Sequence, residues 1–168
     1  MFSIEENLFD FAFCPMPAFA YLSELAAPED WGENDRVHFS ENPADFVFDY
    51  RLEVRTNIDH ILGDAENLSR IPEQLKGEGK AFLLRHAFEG AVMEASRRAA
   101  ANYTIAVPQY YNGRIQLLLP LCLTGDTPEL ALTIQREDGY YSARTCLTLD
   151  MAYNNARLIC RPEAPWIK

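Results

Sequence analysis

The sequence predicts an α+β fold in which an antiparallel β-meander sheet carries helices packed on one face. Two turn dipeptides, Asn112-Gly113 and Asp138-Gly139, each stand between strand-like apolar runs. A third observation is the amphipathic helix pattern that precedes them, from about Ala81 to Asn102. With 168 residues, 48% of them hydrophobic, we expect a single domain, 1–168, around one core.

Residues 1–45 differ in composition from the rest of the chain. Residues 7–22 mix aromatics with prolines and predict an extended arm, and residues 28–43 predict an acidic loop. We expect residues 46–168 to hold the sheet and the helices. The run from Phe46 to Arg55 alternates apolar with polar residues, which is the period of a half-buried strand.

Two helices are predicted next along the chain. Thr56 or Asn57 is a candidate N-cap for a short helix that holds Asp59 in its first turn. In the longer helix, apolar residues recur every three or four positions and predict a buried side made of Leu84, Phe88, Ala91, Val92, Ala95 and Ala99. Glu94 and Arg98 are expected to pair on its solvent side.

The two turns fix the register of the predicted hairpins. The first sets Gln109 opposite Gln116, and Pro108, which lacks an N–H, predicts that its strand lies at an edge. The second sets Gln135 opposite Ser142, and Thr133 opposite Arg144. One sheet face is therefore expected to be polar. It either receives a ligand or is simply solvated.

The chain from Arg144 to Leu158 predicts a strand that stops at Asp150 and continues as a helix. Asp150 is a candidate N-cap, and Asp150, Asn154 and Arg157 fall on one side of this helix. Ala152, Ala156 and Ile159 are expected on its buried side. The polar stripe makes this helix a candidate site.

Charge and cysteine spacing exclude several functions. A net charge of −10 disfavours sequence-independent coating of nucleic acid, while an anion site in the rear half of the chain stays compatible with it. The four cysteines, Cys14, Cys122, Cys146 and Cys160, lack the spacing of a zinc site, so we expect no metal and no cofactor. An acidic start and the lack of a long apolar stretch predict a cytoplasmic protein with no membrane partner.

The segment Arg55-Thr-Asn-Ile-Asp-His60 is the second candidate site. Arg55 at a strand end is able to hold an anion, Asn57 to orient a ligand, and His60 to act as a general base. The alternative is structural, with Asn57 as a cap and His60 bound to a buried carbonyl. The common nucleotide-binding and hydrolase motifs do not occur in the sequence.

Several motifs along the chain resemble one known family. They are Phe9-Asp-Phe-Ala-Phe-Cys-Pro-Met-Pro-Ala-Phe, Arg55-Thr-Asn-Ile-Asp-His-Ile, Val107-Pro-Gln-Tyr-Tyr, Ile115-Gln-Leu-Leu-Leu-Pro-Leu-Cys-Leu and Cys146-Leu-Thr-Leu-Asp-Met-Ala-Tyr-Asn-Asn-Ala-Arg. Together they resemble the bacterial domain-of-unknown-function family 3825. Its members sometimes stand beside RNA-associated modules, so the resemblance implies an RNA-linked role by association. The resemblance also implies that this chain is a shortened member, which lacks a segment between Trp31 and Phe46.

We therefore expect recognition of a nucleotide or a short RNA end, with phosphoester chemistry as a further expectation. Arg55 and Arg157 would hold the anion, and His60 would be the base. The ligand would be oriented by Asn57, Gln109, Gln116, Asp150 and Asn154. The alternative is a non-catalytic protein-interaction module that binds a protein partner through residues 1–45.

Overall fold

The computed structural model describes residues 42–157, 159 and 165–167. The strands are β1 (Glu53–Arg55), β2 (Val107–Tyr111), β3 (Arg114–Leu121), β4 (Leu130–Glu137) and β5 (Tyr140–Thr148). The helices are α1 (Ile58–Gly63), α2 (Ala65–Arg70), α3 (Ala81–Ala101) and α4 (Leu149–Ala156). The predicted arm and most of the acidic loop lie outside the described residues.

The five strands form one sheet in the order β1, β5, β4, β3, β2. Strands β2 to β5 are the predicted antiparallel meander, and β2, with Pro108, lies at an edge as expected. β1, however, pairs with β5 in parallel. The α+β class is confirmed, but the sheet is mixed, because β1 reaches the meander through α1, α2 and α3 and not through a hairpin.

Of the strand predicted from Phe46 to Arg55, only β1 forms. A turn precedes it, in which the Leu52 N–H donates to the Asp49 carbonyl at 3.0 Å. The Asp49 carboxylate accepts from Arg51 Nε and Nη2, both at 2.8 Å, and from Arg136 Nη2 at 3.4 Å. The Asp49 N–H donates to the hydroxyl of Tyr141 at 2.9 Å. These contacts hold the segment before β1 against the sheet.

Both hairpins form at the predicted turns. Asn112 (φ 49°) and Gly113 (φ 78°) both have positive φ, as a type I′ turn requires, and Gln109 pairs with Gln116. In the second turn Gly139 has positive φ (79°) and Asp138 does not, so it is not a type I′ turn. Gln135 still pairs with Ser142, as predicted.

A β-bulge at Arg144 changes the register further along β5. Ile134 pairs with Ala143 but Thr133 pairs with Thr145, so the predicted pairing of Thr133 with Arg144 is wrong. Asn67 of α2 binds the strand at this point, since its Oδ1 accepts from the hydroxyl of Thr145 and from the Cys146 N–H (3.2 Å). The bulge moves Thr145 to the face that carries Thr133 and moves Cys146 to the opposite face.

Helix α3 packs against one face of the sheet along the side that its periodicity predicts. All six predicted residues are buried, and they meet alternate residues of β3 and β4, among them Leu117, Leu119 and Leu132. On the solvent side Glu94 pairs with Arg97 instead of Arg98. Arg98 points toward Cys122.

Helix α4 packs on the opposite face, so the prediction that helices cover only one face is wrong. Ala152 and Ala156, buried as predicted, contact Leu118, Ala131 and Leu147. Thr148, and not Asp150, is the N-cap, because its hydroxyl accepts from the Met151 N–H at 3.3 Å. The sheet is thus the middle layer between α3 and α4, and α4 covers one end of its second face.

Candidate functional site

A cleft of about 510 Å³ opens where β1 ends at the sheet edge. The end of β1 and the start of α1 form one wall with Arg55 and Asn57, and α3 and β5 contribute Arg85, Glu89 and Ser142. The Asn57 side chain accepts from the His60 N–H at 3.1 Å, which fixes the start of α1 as the predicted cap. Among the described residues, Thr56 Oγ1 is the one buried side-chain oxygen or nitrogen without a hydrogen-bond partner.

One row of polar side chains, which we call the amide row, crosses all five strands on the face that α4 partly covers. It consists of Arg55, Ser142, Gln135, Gln116 and Gln109. Strand pairing joins Arg55 to Ser142, Ser142 to Gln135, and Gln116 to Gln109. A hydrogen bond joins Gln116 to Gln135. The amide row therefore begins at the cleft and ends at the opposite edge of the sheet.

The three glutamines of the amide row are buried, with exposed fractions of 2% for Gln109, 9% for Gln116 and 7% for Gln135. Each amide donates to the next acceptor in one direction. Asn155 Nδ2 donates to Gln109 Oε1 (3.1 Å), Gln109 Nε2 to Gln116 Oε1 (2.8 Å), Gln116 Nε2 to Gln135 Oε1 (3.4 Å), and Gln135 Nε2 to Glu137 Oε1 (3.1 Å). Buried amides require such partners, because an unpaired one costs roughly 1 to 3 kcal/mol.

A second row, which we call the outer row, lies beside the amide row on the same face, two residues further along each strand. Its members are Glu53, Tyr140, Glu137, Arg114 and Tyr111. Arg55 Cζ lies 4.4 Å from the centroid of the Tyr140 ring, so guanidinium and ring form a cation–π pair. Tyr111 is 54% exposed. The outer row thus combines planar groups with charge at the molecular surface.

The charged side chains of these two rows balance, two arginines against two glutamates, whereas the whole chain is strongly acidic. Arg55 pairs with Glu53, and Arg144, beside the outer row, pairs with Glu137. Arg114 is exposed and forms no ion pair within the part of the chain that the structure describes. With Arg144 beside them, the two rows hold three arginines against two glutamates, a sum of +1, whereas the chain carries −10. This part of the surface therefore does not share the acidic excess of the chain.

The structure separates the predicted site residues into three groups, and His60 belongs to none of them. Arg55 and Asn57 line the cleft, and Gln109 and Gln116 lie in the amide row. His60 is exposed on α1 and is not among the residues that line the cleft. The third group, Asp150, Asn154 and Arg157, is exposed on and just after α4.

Arg157 lies at the edge of the sheet opposite Arg55. It follows Asn155 by two residues, and Asn155 contacts Gln109 on β2. Four strand spacings separate β1 from β2, which is roughly 19 Å at about 4.8 Å per strand. The two arginines are therefore not brought together around one phosphate.

The sequence interpretation did not include Asn155, Tyr140 or Arg114 among the site residues. Asn155 follows Ala152 by three positions and so borders the buried side of α4, whereas Asn154 points away from it. The register of the hairpins already placed Arg114 and Tyr140 two residues from the amide row. Following the predicted register two residues further toward each turn gives both positions.

A second groove, of about 590 Å³, lies on the other face between α3 and the loop after β3. It is lined by Arg98, Cys122 and Asp126, among others, and contains no predicted site residue. Burial raises the pKa of the Cys122 thiol above its usual range. Burial also raises the pKa of the Cys146 thiol, to about 12, so both thiols are protonated at neutral pH.

Residues 32–166 match the family described as a domain of unknown function, DUF3825. The chain belongs to this family. No curated protein and no solved structure matches it. The DUF3825 match spans the strands β1 to β5 and the helices α1 to α4 of the described residues, with the amide row and the outer row, so these features lie within the family domain.

Two absences hold for the described part of this DUF3825 chain. None of its helices combines the length and the apolar character needed to cross a membrane. No group of three or more histidine, cysteine, aspartate or glutamate side chains is arranged there to hold a metal ion. The shortening between Trp31 and Phe46 relative to other members stays a prediction.

Proposed function

We propose that the protein binds a nucleotide or the end of an RNA strand on the face formed by the amide row and the outer row. The observation that carries this proposal is the Arg55–Tyr140 pair, which lies beside the buried network of amides and reaches the cleft through Arg55. Unstacked bases bind to aromatic rings and to guanidinium planes, and phosphates bind to arginine. This site offers both groups side by side.

The amide row supports the proposal because burying three side-chain amides costs free energy unless each one is hydrogen-bonded. A sheet face covered by a helix usually buries apolar side chains, and three buried glutamines at that position must all be hydrogen-bonded. Their network holds the Glu137 carboxylate, which also accepts from Arg144. Glu137 and Arg144 are thereby fixed in orientation at the surface. Fixed polar groups of this kind give a site specificity for one arrangement of donors and acceptors.

The charge of the chain limits the ligand to a short one. The two rows together with Arg144 sum to +1 within a chain of −10, which suits one or a few phosphates but not a long polyanion. The cytoplasmic location is part of the same proposal, and the free thiols of Cys122 and Cys146 agree with a reducing compartment. Binding alone is proposed, since His60 does not line the cleft; its role as a base stays a prediction.

The test is calorimetry with mononucleotides and short RNA on wild type and Arg55→Ala. We expect the variant to lose roughly 1.5 to 3 kcal/mol of binding free energy, because a charge-assisted contact is removed. Arg55→Lys keeps the charge but not the planar guanidinium, and we expect it to recover only part of the affinity. Loss of the exposed Glu53 pair should change stability little.

Arg97→Ala is the matched control. Arg97 also forms an exposed ion pair, with Glu94, but it lies on α3, on the other side of the sheet. Its loss should leave binding unchanged. Absence of binding by the wild type, or equal loss in both variants, would refute the proposal.

The alternative, a protein-interaction module, has one observation in its favour. Phe82 and Met93 on α3 are 74% and 75% exposed, which is unusual for large apolar side chains. Most of residues 1–45, the predicted partner segment, lie outside the described residues. If no nucleotide binds, this exposed side of α3 is the surface to examine.

A further inference from the structure

We infer that the ligand is a single-stranded oligonucleotide of at least three nucleotides, which lies along the outer row from Tyr140 to Tyr111. This inference rests on the proposed function and specifies its ligand. Tyr140 and Tyr111 lie on the same face because each is two residues from a member of the amide row. The Arg55 guanidinium lies over the Tyr140 ring and Tyr111 is exposed, so the Arg55–Tyr140 pair and the Tyr111 ring form two stacking positions on one surface.

The spacing of the two tyrosines sets the length of the ligand. Tyr140 is on β5 and Tyr111 on β2, three strand spacings apart, which is roughly 14 Å. A nucleotide has six backbone bonds where an amino-acid residue has three, so an extended strand advances roughly 7 Å per nucleotide. Two such steps separate the tyrosines. They are therefore matched to the first and third bases of an extended strand, and one nucleotide cannot reach both.

The side chains between the tyrosines fit the backbone of such a strand. Arg114 and Glu137 occupy the two strands that lie between β5 and β2. Glu137 is neutralised by Arg144, whereas Arg114 has no ion-pair partner within the described residues. Two phosphates lie between the first and third bases, and the Arg114 guanidinium is available for the one nearer Tyr111, since β3 is next to β2. A single uncompensated cation at this position favours one phosphate contact beside Tyr111.

The test is a length series measured by calorimetry or fluorescence anisotropy. The probes are adenosine monophosphate and oligoadenylates of two, three and four nucleotides, with a uridylate series because stacking tolerates every base. Affinity should rise from one to three nucleotides and then level off. Tyr111→Ala should weaken the trinucleotide about tenfold or more and leave the mononucleotide unchanged, since only the longer ligand reaches Tyr111.

Two further variants make the result specific. Tyr111→Phe keeps the ring and should keep the affinity for the trinucleotide. Tyr50→Ala removes an exposed tyrosine elsewhere, 71% exposed in the turn before β1, and should change nothing. Circular dichroism of each variant checks that the fold is retained.

The outcomes separate the two proposals. Equal affinity for one and three nucleotides, or full trinucleotide affinity in Tyr111→Ala, would overturn the inference while the proposed function stands. No binding of any probe by the wild type would overturn both. Loss of mononucleotide binding in Tyr111→Ala would place the first base at Tyr111 and also contradict the inference.

Discussion

At the scale of single residues, Asp49 shows how one side chain decides the local fold. Its carboxylate bonds two arginines, Arg51 and Arg136, and is mostly buried, with 12% of the side chain exposed. The hydrogen bonds from Arg51 are the largest cause that holds the pKa of Asp49 below its usual range. Arg136 also donates to the Ala44 carbonyl at 3.0 Å. Asp49 and Arg136 therefore connect the segment before β1 to β4, 87 positions away along the chain.

The lowered pKa of Asp49 predicts a pH dependence of stability. A carboxylate whose folded pKa lies below the unfolded value, 3.8, stabilises the fold fully above that value. The contribution is lost as pH falls through the folded pKa. Asp49→Asn should therefore lower the free energy of unfolding by roughly 1.5 to 3 kcal/mol at pH 7, and by progressively less below pH 3.8.

Urea unfolding at a series of pH values measures this difference. Asp59→Asn is the control, because Asp59 also pairs with an arginine, Arg85, but its side chain is 76% exposed. Exposed pairs contribute about 0 to 1 kcal/mol, so the control should be nearly neutral. An equal effect of both variants would show that Asp49 does not hold the segment before β1.

Residues of the site were predictable only where local geometry decides their place. Gln109 and Gln116 were predicted as a pair because a two-residue turn fixes their register. The role of Asn57 as a cap was predicted for the same local reason. Asn155 and the Arg55–Tyr140 pair depend on contacts between elements far apart in the chain, which no local pattern encodes.

At the scale of elements, the Asn112–Gly113 turn determines which side chains of β2 and β3 belong to the two rows. Gly113 has φ of 78° with open space around its Cβ position, so conformation and not crowding restricts substitution. Gly113→Val should destabilise the domain by on the order of 1 kcal/mol or more. The thermal unfolding midpoint should fall accordingly.

Gly125→Val tests whether conformation is the cause. Gly125 is also a loop glycine with open space around its Cβ position, but its φ is not in the left-handed region. We expect its substitution to be nearly neutral. A Gly113→Val protein that melts at the wild-type temperature would contradict the type I′ assignment.

Elements differed in how well the sequence predicted them. Helix α3 was predicted almost to the residue, because six apolar positions at helical spacing leave one way to bury them. The strand predicted from Phe46 to Arg55 was too long, because Asp49, Arg136 and Tyr141 stabilise a turn in its first part. The residues of this turn alternate apolar with polar, as those of a strand do. The bulge at Arg144 was missed because its partner, Asn67, is 78 positions away from Thr145.

At the scale of the whole molecule, the sheet is shared by two cores. One lies beneath α3, and the other, beneath α4, includes Ile167. The apolar run from Leu117 to Leu119 does not alternate, which is typical of a strand covered on both faces. This signal was present in the sequence. A strand covered on both faces requires a helix on the second face as well, which is where α4 lies.

Because both cores depend on one sheet, we expect a single cooperative unfolding transition. The Trp31→Phe variant leaves Trp166 as the one tryptophan of the chain, and Trp166 packs beside α4. Its fluorescence should report the α4 side, while far-UV circular dichroism is dominated by α3. The two urea transitions should coincide.

Separate midpoints for fluorescence and circular dichroism would show that the α4 side unfolds alone. The single-domain prediction would then be wrong. Repeating the measurement with Gly113→Val provides a control, since weakening the shared sheet should shift both transitions together.

The two edges of the sheet also determine how copies of this protein behave toward one another. A long, flat edge strand presents unpaired N–H and C=O groups to which a second chain can add. Here β1 is three residues long, and β2 contains Pro108, which has no N–H to donate. Neither edge is a good template for adding a strand, so the sheet itself discourages aggregation when the protein is concentrated.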